Sequence, residues 1–355
     1  MLIRRARTLL VMWHEQGLAL INYRTHISAT AEPEAVKILH FFKDWAHPSD
    51  LYSSMSEYSR GSLRAGIRQL QEKSFLVGKG TPDAKLDADL ERTWSAWLPA
   101  ASFHFATKDT PFLSAANAAR LLDRYVAESP QPPLAKNYRG VPRINLPAVD
   151  ESGDDFTRVL MARKTHREYS RESIPLGTIS ELLYYTWGVT GRLDAPPFGQ
   201  LFHKTSPSGG ARHPGEVYLL ALRVQGLSQG LYHYDCLHHR LDVLRSLPAS
   251  KKAVSYAAGQ DFLKDAAAVF LMTAVFPRTM WKYRFPRAYR VVLLDAGHLC
   301  QTFCLVATWL GLAPFCTAAL KESEVEKDLG IDGVRESPLY LAAVGAPAGK
   351  LRNSA

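Results

Sequence analysis

Apolar residues recur at helical spacing in three segments between residues 33 and 80. The segments PEAVKILHFFKDW and PSDLYSSMSEY each place apolar side chains on one face, and the third places Leu63, Ile67 and Leu70 three or four positions apart. A short apolar run and glycines follow the third segment. Three helices and a short ribbon are the layout of a winged helix-turn-helix, so the sequence predicts a small winged-helix-like domain.

After about residue 150 the pattern alternates between helices and strands. Helical spacing in DDFTRVLMARKTH, LGTISELLYYTWGV and KESEVEKDLG predicts three helices. The apolar runs EVYLLALRV, AAVFLMTAVF and PLYLAAVG predict strands, and GLYHYDCLHHRLDVL predicts a hairpin around a polar turn. This alternation predicts a second domain that combines helices with a sheet.

The longest apolar run, VVLLDAGHLCQTFCLVATWLGL at residues 291–312, is long enough to suggest a membrane span. Asp295, His298 and Gln301 fall inside it, and such residues are costly within a membrane. A buried helix is the better interpretation, and no membrane partner is expected. We expect His298 to be a hydrogen-bonded core histidine.

A proline-rich stretch, AESPQPPLAKNYRGVPRINLP, separates the two patterns. Stiff, extended segments of this kind connect domains, and a chain of 355 residues has room for two. The sequence therefore predicts a winged-helix-like domain at residues 1–125, a linker at 126–149 and a second domain at 150–355.

Composition and cysteine usage narrow the class of protein. An apolar fraction of 46% with 22% charged residues is typical of globular chains and excludes disordered and membrane-embedded classes. The four cysteines (Cys236, Cys300, Cys304 and Cys316) form no CxxC pair, so neither a disulfide framework nor a structural metal site is expected. Cys300 and Cys304 are interpreted as packing residues. This usage fits a reducing cytoplasm, and the first seventeen residues lack a signal-peptide cleavage site.

The chain is basic, with a formal net charge of +9, which favours acidic partners. Arg60, Arg64 and Arg68 are four positions apart in the third predicted helix and form a stripe on one face. Such a stripe is consistent with a solvated surface, with nucleic acid bound in a groove, or with an acidic peptide along the helix.

Four segments after residue 150 carry candidate chemistry. ARKTHREYS brings together side chains that donate charge-assisted hydrogen bonds to a phosphate. SPSGGARHPG combines hydroxyl groups with two adjacent glycines, which let the backbone approach a flat or anionic ligand closely. WKYRFPRAYR lies between a predicted strand and the long apolar helix, and GKLRNSA ends the chain.

These segments, in this order, resemble FMN-dependent proteins of the nitroreductase fold, and in particular the SagB/ThcOx branch of azoline dehydrogenases. GLYHYD, LLDAGHLCQ and ESPLYLAAVG extend the resemblance over roughly residues 150–352. It implies an α+β domain with a central mixed sheet flanked by helices, and FMN at a homodimer interface built around a long central helix. This branch often carries a winged-helix peptide-clamp domain at its N-terminus.

The resemblance also assigns cofactor-binding residues. The first group faces the FMN phosphate, the second faces the isoalloxazine and ribityl chain, and the third is a C-terminal pair directed at the phosphate. The first group is Arg163, Lys164, Thr165 and Arg167. The second group is Ser206, Ser208, Gly209, Gly210 and Arg212. The third group is Lys350 and Arg352. Many nitroreductases place a Glu-Gly or Gly-Gly segment near flavin N5, whereas this chain has Cys316, Thr317 and Ala318, so the backbone donor to N5 stays open.

Lys282 and Tyr283 match the catalytic pair of this branch. Aromatisation of an azoline removes a weakly acidic proton and a hydride, so it requires a base. An ammonium group beside a phenol favours the phenolate, which is a competent base.

The implied function is FMN-dependent oxidation of a peptide-borne thiazoline or oxazoline to the thiazole or oxazole, with oxygen as the final oxidant. The expected protein is a cytoplasmic homodimer whose peptide substrate carries a leader or is tethered to a carrier protein, with other biosynthetic enzymes as partners and no nucleic acid. One alternative is an NAD(P)H-dependent nitro or quinone reductase. The other is a winged-helix DNA-binding regulator with a flavin sensor domain, which the arginine stripe favours.

Overall fold

The computed structural model describes residues 1–15, 17–113, 115–128, 154–196 and 199–349. The α-helices of these ranges are α1 Pro33–Phe41, α2 Pro48–Ser54, α3 Arg60–Glu72, α4 Pro82–Trp94, α5 Leu98–Thr107, α6 Ala115–Glu128, α7 Asp155–Ala162, α8 Leu176–Trp187, α9 Ala249–Tyr256, α10 Phe276–Lys282, α11 Ala288–Trp309 and α12 Glu322–Leu329. The strands are β1 Ile3–Arg5, β2 Leu9–His14, β3 Gly17–Asn22, β4 Ile27–Ala31, β5 Leu76–Gly78, β6 Tyr169–Ser170, β7 Gly191–Asp194, β8 Gln200–His203, β9 Gly215–Ala221, β10 Gly230–Asp235, β11 Arg240–Ser246, β12 Ala268–Val275, β13 Ala313–Thr317 and β14 Glu336–Pro347.

The largest sheet has the strand order β11-β10-β9-β12-β14-β13, and β6 pairs with the C-terminal end of β14. Its strand pairs are antiparallel, while a parallel bridge joins Ile174 to Val224 just beyond β9. Strands β9 and β12 lie in the middle and are almost wholly buried, as their largely apolar sequences predict. The predicted α+β class is confirmed.

Helices cover both faces of this sheet. On one face, Trp187 of α8 and Phe303 of α11 pack against Phe270 of β12. On the other face, α9 and α12 contribute Tyr256 and Val325 to a second apolar cluster. Two layers of helices thus enclose the sheet and bury most of its central strands.

The long helix α11 is buried on one side only, which corrects the prediction of a buried helix at residues 291–312. Phe303 faces the sheet, whereas Leu294 is 61% exposed and Trp309 is 53% exposed on the outer side. His298 is also exposed, so its prediction as a core histidine is wrong. The length and apolar composition of α11 would suit a membrane span, but core helices of globular domains share both properties.

The N-terminal region forms a three-stranded antiparallel sheet, in the order β2-β3-β4, followed by α1, α2 and α3. The three predicted helices are confirmed, and apolar residues such as Ile38, Leu63 and Ile67 form their common core. The predicted ribbon is the short strand β5, which pairs with β1 at the start of the chain. The predicted linker lies outside the described residues from residue 129 onward.

The N-terminal region shares a core with the rest of the chain. Trp94 is fully buried against Phe276, and its indole N–H donates to the carbonyl oxygen of Val334 at 2.8 Å. His104 of α5 hydrogen bonds to the phenol of Tyr289 in α11 at 2.8 Å, and burial lowers the pKa of this histidine to about 3. The two regions are therefore held together by packed side chains as well as by the covalent connection between them.

A buried ion pair reinforces this junction. The ammonium group of Lys108 lies 2.7 Å from the carboxylate of Glu326 in α12, and both side chains are nearly buried. The hydroxyl of Ser337 donates to the same carboxylate at 2.6 Å. Removing one partner from such a pair leaves a buried charge without compensation, which is strongly destabilising.

Candidate active site

The glycine-rich loop at residues 206–213 lies along α11. The hydroxyl groups of Ser206 and Thr302 hydrogen bond at 2.7 Å. The hydroxyl of Ser208 donates to the carboxylate of Asp295 at 2.6 Å, and the backbone N–H of Gly209 donates to the same carboxylate at 3.2 Å. Burial raises the pKa of Asp295, and these two hydrogen bonds act in the opposite direction. Asp295 therefore anchors the loop, a role that the sequence analysis did not assign.

The two adjacent glycines are required by close contacts on both sides of the loop. A Cβ atom on Gly209 would overlap the side chain of Val291. Gly210 has φ of +63°, and a Cβ there would overlap the phenol oxygen of Tyr283 and lie 2.9 Å from Nζ of Lys282. The loop and the Lys-Tyr pair, which are about seventy positions apart in the sequence, are therefore in direct proximity.

Lys282 and Tyr283 lie where α10 ends. Lys282 is the last residue of the helix, Tyr283 caps it, and both are half-buried. The ammonium of Lys282 lies 5.5 Å from the centre of the Tyr283 ring. The indole N–H of Trp97 donates to the carbonyl oxygen of Tyr283 at 2.8 Å, so the N-terminal region helps to fix the backbone of this pair.

The other end of the loop borders a polar cleft of about 420 Å³. Arg212 lines it, with its guanidinium 4.9 Å from the ring centre of Trp281 and its Nε donating to the carbonyl oxygen of Arg278. His213 also lines the cleft and donates its backbone N–H to Ser208. Burial, and next the charge of Lys204, lower the pKa of His213 to about 4, so its ring is neutral at pH 7.

The ARKTHR segment follows α7 and lies beside β13. Arg163 is half-buried at the end of α7, whereas Lys164, Thr165 and Arg167 are exposed. The backbone N–H of His166 donates to the carbonyl oxygen of Pro314 in β13 at 2.9 Å, and the guanidinium of Arg167 lies over the ring of Phe315. The segment thus borders the C-terminal end of α11, whose earlier turns hold the glycine-rich loop. Lys350 and Arg352 lie outside the described residues.

Sequence reasoning missed a cluster of thiols beside this segment. The Sγ atoms of Cys300, Cys304 and Cys316 all lie within 4.8 Å of one another. The first two were interpreted as packing residues, and their spacing of four positions already placed them on one face of a helix. Cys316 could not be placed, because the short strand β13 was not predicted.

The similarity to known proteins covers the same residues. The model of the nitroreductase family matches residues 160–346, which is more than half of the chain. The chain belongs to the nitroreductase family. The chain is therefore an oxidoreductase of this family, and its matched part contains the loop, the Lys-Tyr pair and α11.

Two relatives and one solved structure refine the placement. The trifolitoxin-processing protein TfxB of Rhizobium leguminosarum bv. trifolii is 28% identical over 312 residues, which cover 83% of each chain. The microcin B17-processing protein McbC of Escherichia coli is 27% identical over 207 residues, covering 54% of this chain and 73% of McbC. The structure of the E. coli microcin synthetase McbBCD complex with truncated pro-MccB17 bound matches at 20% identity with a TM-score of 0.53, covering 74% of this chain and 97% of the matched chain. This last match supports the fold, and the TfxB match reaches beyond the nitroreductase domain into the N-terminal region.

Proposed function

We propose that the protein is an FMN-dependent dehydrogenase that oxidises a thiazoline or oxazoline on a peptide to the thiazole or oxazole, with oxygen as the final oxidant. The observation that carries this proposal is the contact between Gly210 and the side chains of Lys282 and Tyr283. It brings the candidate cofactor loop against the candidate proton acceptor. The similarity to proteins that process trifolitoxin and microcin B17 supports a peptide as the substrate.

The described residues fit a phosphorylated flavin. Gly209 and Gly210 let the loop pack directly against Val291 and Tyr283, so that its backbone, with Ser206 and Ser208, can serve as the surface on which a flat ring system lies. Arg163 and its exposed neighbours in the ARKTHR segment offer positive charge for a phosphate. When bound, FMN supplies the acceptor for the hydride that the heterocycle loses. We assign the loop to the ring system and Arg163 to the phosphate.

The chain itself supplies the base and its orientation. Tyr283 accepts the proton from the heterocycle, and Lys282 stabilises the phenolate that accepts it. The hydrogen bond from Trp97 fixes the backbone of Tyr283, and the left-handed backbone at Gly210 lets the loop lie directly beside the phenol. The pair and the loop thus form one preorganised wall of the candidate site, with the phenol held in place by its neighbours.

A homodimer in the cytoplasm is part of this proposal. Phe156 of α7 and Trp309 of α11 are more than half exposed and line an apolar groove of about 560 Å³. Leu294 extends the same outer side of α11. Exposed apolar surface on this scale marks an interaction site, and a second copy of the chain would cover it. Other enzymes that act on the same peptide are the further partners we expect.

The N-terminal region offers a groove for the peptide. Strand β4, together with α1 and α3, encloses an apolar groove of about 350 Å³ whose lining includes Ala29, Ile38, Leu70 and Gln69. In the described sheet β4 is an edge strand, since β3 pairs with one side of it only. Extended peptides bind such edges by adding a strand, while side-chain pockets provide specificity. We therefore assign the leader or carrier-proximal part of the substrate to this groove.

The arginine stripe does not line this groove. Arg60, Arg64 and Arg68 are exposed on α3, and Arg68 pairs with Glu72 at 3.8 Å. At 100° per residue, the stripe lies on the side of α3 opposite to Ser62 and the other groove residues. The stripe still favours the DNA-binding alternative.

Purified protein is expected to be yellow, with one FMN per chain, and to convert a thiazoline-containing peptide into a product that lacks two hydrogen atoms. The measurements are the flavin spectrum, anaerobic bleaching by the peptide, and the mass of the product. Protein that stays colourless after incubation with FMN would contradict the proposal. Steady turnover of NADPH and a quinone, without reaction of the thiazoline, would establish the reductase alternative.

Arg163 and Arg158 lie at the same helix, α7, and provide a test variant and its matched control. Arg163→Ala should lose FMN while keeping its fold, because a phosphate contact stabilises the native state only through binding. Arg158→Ala removes an exposed arginine of α7 that pairs with Asp155, and it should retain FMN. Equal FMN content in both variants would show that Arg163 does not bind the phosphate.

A larger side chain in the N-terminal groove should weaken binding of the full-length peptide but not of a short heterocyclic fragment. Gln69→Trp is expected to raise KM for the full-length precursor by about tenfold with kcat unchanged, because remote binding acts equally on the ground and transition states. A short heterocyclic fragment should react as before. Arg68→Trp places the same side chain on the neighbouring position outside the groove and should change neither value. A larger loss in Arg68→Trp would assign the peptide to the arginine stripe instead.

A further inference from the structure

Three cysteine thiols lie together at the C-terminal end of α11, outside the residues assigned above. Cys300 and Cys304, one turn apart on α11, are buried, and Cys316 of β13 is half-buried beside them. Their Sγ atoms are all within 4.8 Å of one another. Oxidation of an azoline uses none of these atoms, so the proposed function leaves the cluster without a role.

The surroundings favour a negative charge on the sulfur of Cys316. Its pKa is lowered, because the thiols of Cys300 and Cys304 hydrogen bond to it and the phenol of Tyr340 donates to it at 3.7 Å. The positive charge of Arg163 lowers this pKa further. Contact with Cys304 and Cys316 raises the pKa of Cys300, so the protons remain on the helix thiols. The thiolate is the form that reacts with oxidants.

The separation of the thiols also suits disulfide formation. A disulfide bond is about 2.05 Å long, and the sulfur atoms, which lie within 4.8 Å of one another, have to move closer before a bond forms. Cys316 therefore has two partners available in the folded protein. A thiol of lowered pKa beside two resolving thiols is an arrangement found in redox-sensing cysteines.

We propose that Cys316 is a reversible oxidation site, at which a hydroperoxide forms a sulfenic acid and Cys300 or Cys304 then closes a disulfide. In the first step the sulfur of Cys316 attacks one oxygen of hydrogen peroxide, the O–O bond breaks, and the leaving hydroxide takes a proton to become water. In the second step the sulfur of a helix cysteine attacks the oxidised sulfur. The S–O bond breaks, and the thiol proton leaves with the hydroxide as a second water. Two thiols thus deliver two electrons to one peroxide.

The source of the oxidant rests on the proposed function. Oxygen that accepts two electrons and two protons during turnover becomes hydrogen peroxide, and the proposed activity would therefore supply the oxidant. The thiol chemistry itself does not depend on turnover, because added peroxide starts it. A protein that forms the disulfide yet oxidises no azoline would therefore contradict the proposed function and leave this inference intact.

The test treats full-length protein with a small excess of hydrogen peroxide and maps the products by peptide mass spectrometry. A disulfide between Cys316 and Cys300 or Cys304 is expected, and dithiothreitol should reverse it. Cys236 is the internal control, since it is also half-buried and its sulfur accepts a hydrogen bond from the ammonium of Lys204 at 3.4 Å. Cys316 should react about tenfold faster than Cys236. Equal or slower reaction of Cys316, or absence of the cross-link, would overturn the proposal.

Variants separate the two steps. In the double variant Cys300→Ser, Cys304→Ser, the sulfenic acid on Cys316 has no resolving thiol and should be trapped by dimedone, at a yield several times that of wild type. Cys316→Ser should remove both the dimedone adduct and the disulfide. Because wild-type mapping needs no substitution, the proposal stays testable even if a variant fails to fold. A double variant that folds but gives no adduct at Cys316 would refute the first step.

Discussion

Tyr283→Phe is expected to lower the rate of substrate-dependent flavin reduction by about 10² to 10⁴, while FMN content and dimer mass stay at wild-type values. Phenylalanine keeps the ring and its edge contact with Phe285, so packing is preserved. It removes only the hydroxyl that faces Gly210. Anaerobic stopped-flow mixing with a thiazoline peptide measures the rate, and the flavin spectrum measures cofactor content.

Lys282→Ala should produce a different pattern. Without the ammonium group, the phenolate loses the positive charge that stabilises it, so the rate should fall, but less than in Tyr283→Phe, because the phenol itself remains. Tyr125→Phe, which removes an exposed phenol on α6, should have no effect. If Lys282 were itself the base, Lys282→Ala would be the more severe of the two variants and Tyr283→Phe the milder one. Wild-type rates in both variants would remove the pair from the mechanism.

The features that could be predicted from the sequence are those with a strong local signal. The periodicity of Leu63, Ile67 and Leu70 identified α3, and the unbroken apolar run of β12 identified a central strand. Gly209 and Gly210 marked a close approach of the backbone before its partners were known. In each case the residues involved are near one another in the chain, so spacing alone carries the information.

The features that escaped prediction depend on contacts between distant parts of the chain. The sequence around Trp94 and Trp97 does not indicate that they pack beside α11. The sequence around Asp295 does not indicate that it anchors the glycine-rich loop. Cys316 lies on a five-residue strand whose composition does not distinguish it from a loop. Strands β2, β3 and β4 have five or six residues each, and β2 exposes the large apolar side chain of Trp13, so the sequence analysis did not predict their sheet.

Removing residues 1–125 is expected to abolish the folded state of the remaining chain, not only to weaken peptide binding. Trp94 and Trp97 are fully buried in the core that they share with Phe276 and Tyr289. Loss of a buried tryptophan costs about 3–5 kcal/mol, and a typical domain has only about 5–15 kcal/mol of stability. The deletion also leaves the buried carboxylate of Glu326 without Lys108. Circular dichroism with thermal melting of the fragment measures the effect.

A point variant distinguishes loss of fold from loss of peptide binding. Trp94→Ala should lower the melting temperature strongly while leaving the N-terminal groove and Gln69 in place, because the tryptophan lies outside that groove. Gln69→Trp should leave the melting temperature unchanged. A truncated chain that still melts cooperatively and binds FMN would show that the shared core is dispensable, and the N-terminal region would then act on the peptide alone. We expect instead that the N-terminal region also supports the active site, because Trp97 donates a hydrogen bond to the backbone of Tyr283.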